Sequence, residues 1–161
     1  MSNTFTIMFV CTGNTCRSPM AEGALKVLLE KENLKNNYEV ISSGTSAATG
    51  FPATLYGIEA AKIWNADMSS HKSQGLTSAL LDKADLIFAM TPSHYAEIVR
   101  LRKDVADKTY LFKNFPDHSP TGEGLSDPIG QELSVYNETF LEIGEYLGKY
   151  LEEIVKRIEN K

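Results

Sequence analysis

The chain has 161 residues, and this length predicts a single domain over residues 1–161. Hydrophobic residues make up 42% and charged residues 23%, which is the mix of a globular protein rather than a disordered one. The net charge of -5 gives no reason to expect nucleic acid or an anionic membrane as a partner. An anionic ligand would therefore need a locally positive site.

The N-terminal residues and the cysteines indicate the cellular compartment of the protein. Residues 1–4 lack the basic region and apolar core of a signal peptide, and no apolar run is long enough to span a bilayer. The two cysteines, Cys11 and Cys16, are too few for a disulfide scaffold. We therefore expect a protein of the reducing cytoplasm, with no membrane partner.

The first predicted elements are a strand, a loop and a helix. An apolar run over residues 5–10 predicts a buried strand, and the small and polar residues 11–17 predict a loop. Ser18 and Pro19 then predict a helix start, because serine is a favoured N-cap and proline fits the first helical position. The helix is expected to break at residues 33–37.

Four further elements are predicted between residues 38 and 89. Residues 38–41 predict a second strand, and Pro52 is expected to open a helix that runs to about Ala66. Thr77 is predicted to cap a short helix. Residues 85–89 form another apolar run and predict the third strand.

The remaining elements complete an alternating order. Thr91 and Pro92 predict a helix start, and that helix runs to about Arg102. Residues 109–112 predict a fourth strand, and residues 113–130 a long loop of the kind that is often functional. The last helix carries apolar residues on one face, namely Tyr136, Phe140, Ile143, Leu147, Leu151, Ile154 and Ile158. Strands that alternate with helices predict a parallel α/β sheet, with ligands bound beyond the carboxyl ends of its strands.

The loop after the first strand has the order Cys-x5-Arg-Ser. Its five intervening residues can wrap around one tetrahedral anion with their backbone N–H groups pointing inward. Gly13 allows a positive φ angle or a close backbone approach, and Asn14 tolerates a left-handed conformation. The following helix adds the positive end of its dipole, and Arg17 can donate two parallel hydrogen bonds to the anion.

Cys11 is predicted to lie at the base of this cradle. A free cysteine titrates near about 8.5, and helix N-termini or cations lower that value, so we expect a thiolate in the resting protein. Ser18 could donate a hydrogen bond to the same sulfur. A cysteine at a strand end is more often a small core residue, but the joint pattern favours a nucleophile beneath a phosphoryl group.

Two other kinds of site are disfavoured. The loop lacks the Gly-Lys-Ser/Thr ending of a nucleotide-binding P-loop. His71, His94 and His118 are scattered and show no zinc-ligand spacing with the two cysteines. We therefore expect neither a metal nor another cofactor.

Residues 10–22 strongly resemble the signature of low-molecular-weight protein tyrosine phosphatases, and the resemblance covers nearly the whole chain. Further matching stretches are residues 42–45, 71–73 and 84–90 and the pair Asp127-Pro128. The resemblance implies a three-layer α/β/α fold with a four-stranded parallel sheet. It also implies a phosphocysteine intermediate, no metal, and phosphorylated proteins as partners. We expect a monomer.

The resemblance assigns roles to residues of this chain. Cys11 is similar to the family's nucleophile, Arg17 to its phosphate-binding arginine and Asp127 to its general acid. Ser42 and His71 resemble residues that support the loop, although Ser43 could take the place of Ser42. The phosphate-binding loop further comprises Thr12, Gly13, Asn14, Thr15, Cys16 and Ser18.

Chemistry independently favours a carboxylic acid at Asp127. The leaving group needs a proton and water then needs a base, and one carboxyl group can serve both steps in turn. Taken alone, Asp127 and Pro128 would more often only begin a turn. The resemblance also implies that oxidised Cys11 can form a disulfide with Cys16 and so escape irreversible oxidation.

Two positions bear on the substrate. Tyrosine-directed members of the family carry an aliphatic residue where this chain has Thr15, and often aromatic residues after Asp-Pro, where this chain has Ile129. Thr15 resembles the bacterial branch that acts on phosphoarginine, and its hydroxyl suits a polar guanidinium. Phosphoarginine is thus the predicted substrate, and phosphotyrosine remains an alternative in which Phe51 or Tyr56 supplies an aromatic wall.

Three other functions are less well supported by the sequence. Arsenate reductases share the loop, but their chemistry needs further cysteines downstream, and this chain has none after Cys16. A non-catalytic phosphate-binding module would have no need of both Cys11 and Asp127. A phosphatase of small molecules is not distinguished by the sequence.

Overall fold

The computed structural model describes residues 3–161, so the first two residues of the N-terminal stretch considered above lie outside it. Four strands form one sheet in the order β2-β1-β3-β4, and every neighbouring pair is parallel. The strands are β1 (Phe5–Cys11), β2 (Tyr38–Gly44), β3 (Leu86–Ala89) and β4 (Thr109–Leu111). The predicted parallel α/β sheet is confirmed.

Five α-helices and three short 3-10 helices connect and cover these strands. The α-helices are α1 (Arg17–Glu30), α2 (Leu55–Ala61), α3 (Ser78–Lys83), α4 (Pro92–Leu101) and α5 (Leu133–Glu159). The 3-10 helices are Lys62–Trp64, Lys103–Lys108 and Phe112–Asn114. In residues 3–161, none of the helices combines the length and apolar character needed to cross a membrane.

Two predicted helix starts are confirmed by their caps. The Thr77 side chain accepts a hydrogen bond from the Leu80 N–H, and the Thr91 side chain accepts one from the His94 N–H. Pro92 occupies the first turn of α4, where its missing N–H costs no hydrogen bond. These caps depend only on residues within three positions of each other.

Two other predicted starts are wrong. Ser18 does not cap α1, because the N-cap is Cys16 and the Ser18 hydroxyl is used by other side chains of the loop. Pro52 does not open α2, because Thr54 is the N-cap and its hydroxyl accepts from the Gly57 N–H. This second helix ends at Ala61 and continues only as a 3-10 turn, well before its predicted end.

At the sheet edge where the loop begins, strands β1 and β2 end later than predicted. Strand β1 continues to Cys11 and β2 continues to Gly44, because these two residues are register partners in the parallel ladder. The predicted second strand ended at residue 41, yet the polar residues Ser42 and Ser43 are buried strand residues as well. The sheet therefore supports the functional loop directly.

The core consists of two layers, one on each face of the sheet. Ile7 and Phe9 face the layer that contains α1, α2 and α5, whereas Met8 and Val10 face the layer with α3 and α4. This alternation follows the two-residue period of a strand. The predicted apolar face of α5 is buried, apart from the partly buried Leu151. The molecule is thus the three-layer α/β/α structure that the sequence predicted.

Candidate active site

The phosphate-binding loop (residues 11–18) connects β1 to α1 at the carboxyl edge of the sheet. Its carbonyl groups are fixed by the segment after β2: the Thr45 N–H donates to the Cys11 carbonyl at 2.8 Å, and the Ser46 N–H donates to the Thr12 carbonyl at 2.9 Å. A Cβ atom at Gly44 would lie 2.3 Å from the Thr12 carbonyl oxygen. Only glycine therefore permits this close approach of the two segments.

The left-handed residue of the loop is Asn14, with a φ angle of 57°. Gly13, the other candidate for a positive φ angle, does not have one. A Cβ atom at Gly13 would meet only the Thr15 hydroxyl oxygen, at 3.7 Å. The adjoining asparagine thus makes the turn, and the close backbone approach that Gly13 allows stays a prediction.

The Asn14 side chain is the centre of a buried hydrogen-bond network. Its amide nitrogen donates to the hydroxyl groups of Ser18 at 2.8 Å and Ser42 at 2.9 Å. Its amide oxygen accepts from the Gln74 N–H at 2.9 Å, and its backbone carbonyl lies 2.7 Å from His71 Nε2. The loop is thus held in its turn by residues from three parts of the chain, at Ser18, Ser42 and residues 71–74.

The network extends to residues that the sequence reasoning missed. The Ser42 hydroxyl donates to Glu22 Oε1 at 2.7 Å, and the Gln74 side chain donates to the Ser42 carbonyl at 3.0 Å. Ser43, the alternative to Ser42, instead places its hydroxyl beside the sulfur of Met8. The only sequence signal for Gln74 was its place directly after residues 71–73.

The Cys11 sulfur lies 2.8 Å from the Ser18 hydroxyl and is buried. Burial raises the pKa of the Cys11 thiol, whereas the Ser18 hydroxyl, the backbone N–H groups of Ser18 and Asn14, and the charge of Arg17 lower it. The net direction is upward, which contradicts the expected resting thiolate. Desolvation outweighs the hydrogen bonds and the neighbouring cation in this geometry.

Arg17 and Asp127 meet across the mouth of the loop. The buried guanidinium group of Arg17 donates to the Leu125 carbonyl at 2.9 Å and to Asp127 Oδ2 at 3.4 Å. Asp127 is partly exposed, and its Oδ1 accepts from the Ile129 N–H at 3.1 Å. The segment that carries Asp127, here called the acid loop (residues 115–132), is anchored where the Leu125 N–H donates to the Met90 carbonyl after β3.

A nucleophilic thiol, an arginine and a carboxylic acid therefore meet at one anion-binding loop. Residues 6–160 match the family described as low molecular weight phosphotyrosine protein phosphatase. The chain belongs to this family. The fold, the loop and the Asp-Pro pair that the resemblance implied are all present in the structure.

Three known proteins are similar to this chain in sequence or in structure. A protein-arginine-phosphatase from Bacillus subtilis (strain 168) is 37% identical over 151 residues, which cover 93% of this chain and 97% of the relative. A probable low molecular weight protein-tyrosine-phosphatase, EpsP, from Ralstonia nicotianae is 40% identical over 83% of this chain and 84% of the relative. A YwlE arginine phosphatase mutant with a phosphorylated active-site serine matches with a TM-score of 0.87 and 34% identity, over 96% of this chain and all (100%) of that one.

The phosphate-binding loop and the acid loop enclose a pocket of about 230 Å³. The pocket is lined by Cys11, Thr12, Gly13, Thr15, Cys16, Arg17, Asp127 and Ile129. Phe51 and Tyr56, the two candidates for an aromatic wall, are exposed and do not line it. The structure thus brings Cys11, Arg17 and Asp127 together in one pocket, whereas the predicted loop residues Asn14 and Ser18 are buried and do not line it.

The Cys16 side chain contacts residues outside the phosphate-binding loop. Both Cys11 and Cys16 are free and buried. The Cys16 sulfur is 3.5 Å from the Tyr136 hydroxyl and 3.6 Å from the Thr54 hydroxyl. The disulfide between the two cysteines stays a prediction.

Replacing Ser18 with alanine is expected to raise the pKa of the Cys11 thiol further, because the lost hydroxyl is the strongest of the groups that lower it. The measurement is the rate of Cys11 alkylation by iodoacetamide against pH, followed by mass spectrometry. Ser43→Ala is the matched control, since that buried serine has no contact with the thiol. An unchanged or lower midpoint in Ser18→Ala would contradict the assignment.

His94 is a further residue of the site that the sequence reasoning missed. Its Nε2 lies 2.7 Å from the Thr12 hydroxyl and its Nδ1 lies 2.9 Å from the Thr91 hydroxyl. Burial lowers the pKa of His94 to about 4, the charge of Arg17 acts in the same direction, and Asp127 opposes them. The imidazole is therefore neutral at pH 7. Its two partners are 79 positions apart in the sequence, so no local motif indicates the contact.

The described residues contain no cluster of side chains suited to binding a metal ion. In the described part of the chain, no three histidine, cysteine, aspartate or glutamate side chains are grouped so that they could hold a metal ion.

Proposed function

We propose that this phosphatase hydrolyses phosphoarginine in proteins, with Cys11 as the nucleophile, Arg17 as the phosphate ligand and Asp127 as the acid and base. The observation that carries the proposal is the Thr15 hydroxyl in the wall of a pocket that already holds these three groups. The similarity to a protein-arginine-phosphatase from Bacillus subtilis supports the same substrate. Phosphorylated proteins are then the partners of this chain.

The reaction follows from the geometry in two steps. The Cys11 thiol first loses its proton to solvent; its sulfur then attacks phosphorus while the bond from phosphorus to the arginine nitrogen breaks, and Asp127 protonates that nitrogen as it leaves. Water activated by the Asp127 carboxylate then hydrolyses the phosphocysteine. Backbone N–H groups of the loop and the Arg17 guanidinium stabilise the phosphoryl oxygens in both steps.

Thr15 supports arginine over tyrosine for a physical reason. The side chain is partly buried in the pocket wall, and among residues 3–161 its hydroxyl has only a long contact of 4.0 Å, to the Cys16 sulfur. The hydroxyl therefore retains hydrogen-bonding capacity for a guanidinium N–H. An aliphatic residue at this position would leave that N–H unpaired, a strong basis for discrimination. Phe51 and Tyr56 are not among the residues that line the pocket.

The decisive experiment compares phosphoarginine with phosphotyrosine on wild-type protein and on Thr15→Ile. We expect wild-type protein to prefer phosphoarginine, and Thr15→Ile to lose about tenfold or more of that preference because one buried donor is left unpaired. The quantity measured is the ratio of the two kcat/KM values, from release of inorganic phosphate.

Two further substitutions at Thr15, one isosteric and one smaller, separate the effect of the hydroxyl group from the effect of side-chain size. Thr15→Val keeps the shape and removes the hydroxyl, so we expect it to behave like Thr15→Ile. Thr15→Ser keeps the hydroxyl and should retain the preference. Equal or better phosphoarginine turnover in Thr15→Ile would refute the role of Thr15, and a wild-type preference for phosphotyrosine would refute the substrate.

A further inference from the structure

His94 links the loop that binds the phosphoryl group to the start of α4. The side chain is 3% exposed, and each ring nitrogen is within hydrogen-bond distance of a threonine hydroxyl. Thr91 is the N-cap of its own helix, while Thr12 directly follows Cys11 in the phosphate-binding loop. The contact thus joins two segments that approach each other only in the folded protein.

The chemistry of this contact favours a neutral ring. A neutral imidazole has one donor and one acceptor nitrogen, and a hydroxyl group can take either role, so the threonine–histidine–threonine chain is fully satisfied. Protonation would add a charge close to Arg17 in a buried position. Asp127 is the nearby carboxylate that opposes this repulsion.

Helix α4 does not need the imidazole group for its own start. The Thr91 hydroxyl already accepts from the His94 backbone N–H, and Pro92 occupies the first turn. Thr12, in contrast, lines the pocket, and among residues 3–161 its hydroxyl has no hydrogen-bond partner other than His94. The side chain of His94 therefore acts on the loop rather than on the helix.

We propose that His94 is a positioning residue of the phosphatase site: it orients the Thr12 hydroxyl in the pocket wall next to Cys11. The Thr12 hydroxyl keeps hydrogen-bonding capacity beyond the bond to His94, which it can direct to a phosphoryl oxygen. This inference rests on the phosphatase activity proposed above, but not on the choice of phosphoarginine as substrate.

The test uses two amides that each imitate one ring nitrogen. The His94→Gln side chain can place its amide near the position of Nε2 and keep the contact with Thr12. The shorter His94→Asn side chain reaches only the position of Nδ1 and keeps the contact with Thr91. With para-nitrophenyl phosphate as substrate, we expect His94→Asn to lose about five- to tenfold in kcat, the worth of one neutral hydrogen bond. His94→Gln should recover most of that loss.

A double-mutant comparison makes the inference specific. Thr12→Val removes the hydroxyl from an exposed residue and is expected to lower kcat as much as His94→Asn does. The variant with both changes should be no worse than either alone, because both remove the same interaction. Glu97→Gln, on the same helix α4 but with its side chain paired to Arg100, is the control and should stay within about twofold of wild type.

Three results would overturn the inference: additive losses in the double variant, no recovery in His94→Gln, or wild-type kcat in Thr12→Val. Thr12→Val decides the question even if His94→Asn unfolds, which thermal unfolding of each variant will show. A preference for phosphotyrosine would refute the proposed substrate and leave this test valid, since para-nitrophenyl phosphate reports on the loop with either substrate.

Discussion

Replacing Cys11 with serine is expected to lower kcat by about 10⁴-fold or more, the order of loss seen when a covalent nucleophile is removed. A hydroxyl group is a far weaker nucleophile than a thiolate, and it is also a poorer leaving group in the second step. Phosphoryl transfer to the new serine can therefore accumulate without turnover. A YwlE arginine phosphatase mutant with a phosphorylated active-site serine shows that such a state can be captured.

The measurement combines steady-state release of para-nitrophenol with mass spectrometry of acid-quenched protein. Wild-type protein should carry phosphate on Cys11 during turnover. Cys16→Ser is the matched control, because it changes the other buried thiol of the same loop and leaves the nucleophile in place. The covalent mechanism is refuted if Cys11→Ser turns over within a few-fold of wild type.

Local features of this fold could be predicted well from the sequence. The caps at Thr77 and Thr91 depend on a hydroxyl and an N–H three residues later, so the sequence around them contains the whole interaction. The strand and loop that contain Cys11 were also predictable, because an apolar run ends in small and polar residues there. The order of the strands in the sheet required the structure.

Features that depend on long-range partners could not be predicted in the same way. Ser18 has the residue type of a cap, but its hydroxyl is taken by Cys11 and Asn14, so the cap prediction fails. His94 had no local signal and Gln74 had only its place after residues 71–73, because their partners in the loop are 82 and 60 residues away. The protonation of Cys11 is a balance between burial and opposing hydrogen bonds, and burial is a property of the whole fold.

Asp127→Asn is the second change with a large expected effect, because it removes the carboxyl group proposed to donate and then accept the reaction's protons. Among the described residues that line the pocket, Asp127 has the only carboxyl group, although Cys16 and the two threonines also carry exchangeable protons. General acid–base catalysis contributes typically about 10²- to 10⁴-fold, so kcat toward phosphoarginine should fall by this order. Asparagine keeps the size and the contact with the Ile129 N–H, which limits the change to chemistry.

The loss should depend on the leaving group, and this dependence separates proton donation from mere support of the loop. Aryl phosphates whose phenols are strong acids leave without a proton and should be least affected, whereas poor leaving groups should lose the full factor. Asp117→Asn is the matched control on the same acid loop, where its carboxylate only accepts from the Ser119 N–H. An equal loss for every leaving group in Asp127→Asn would mean that the carboxyl group positions Arg17, its partner at 3.4 Å, and donates no proton.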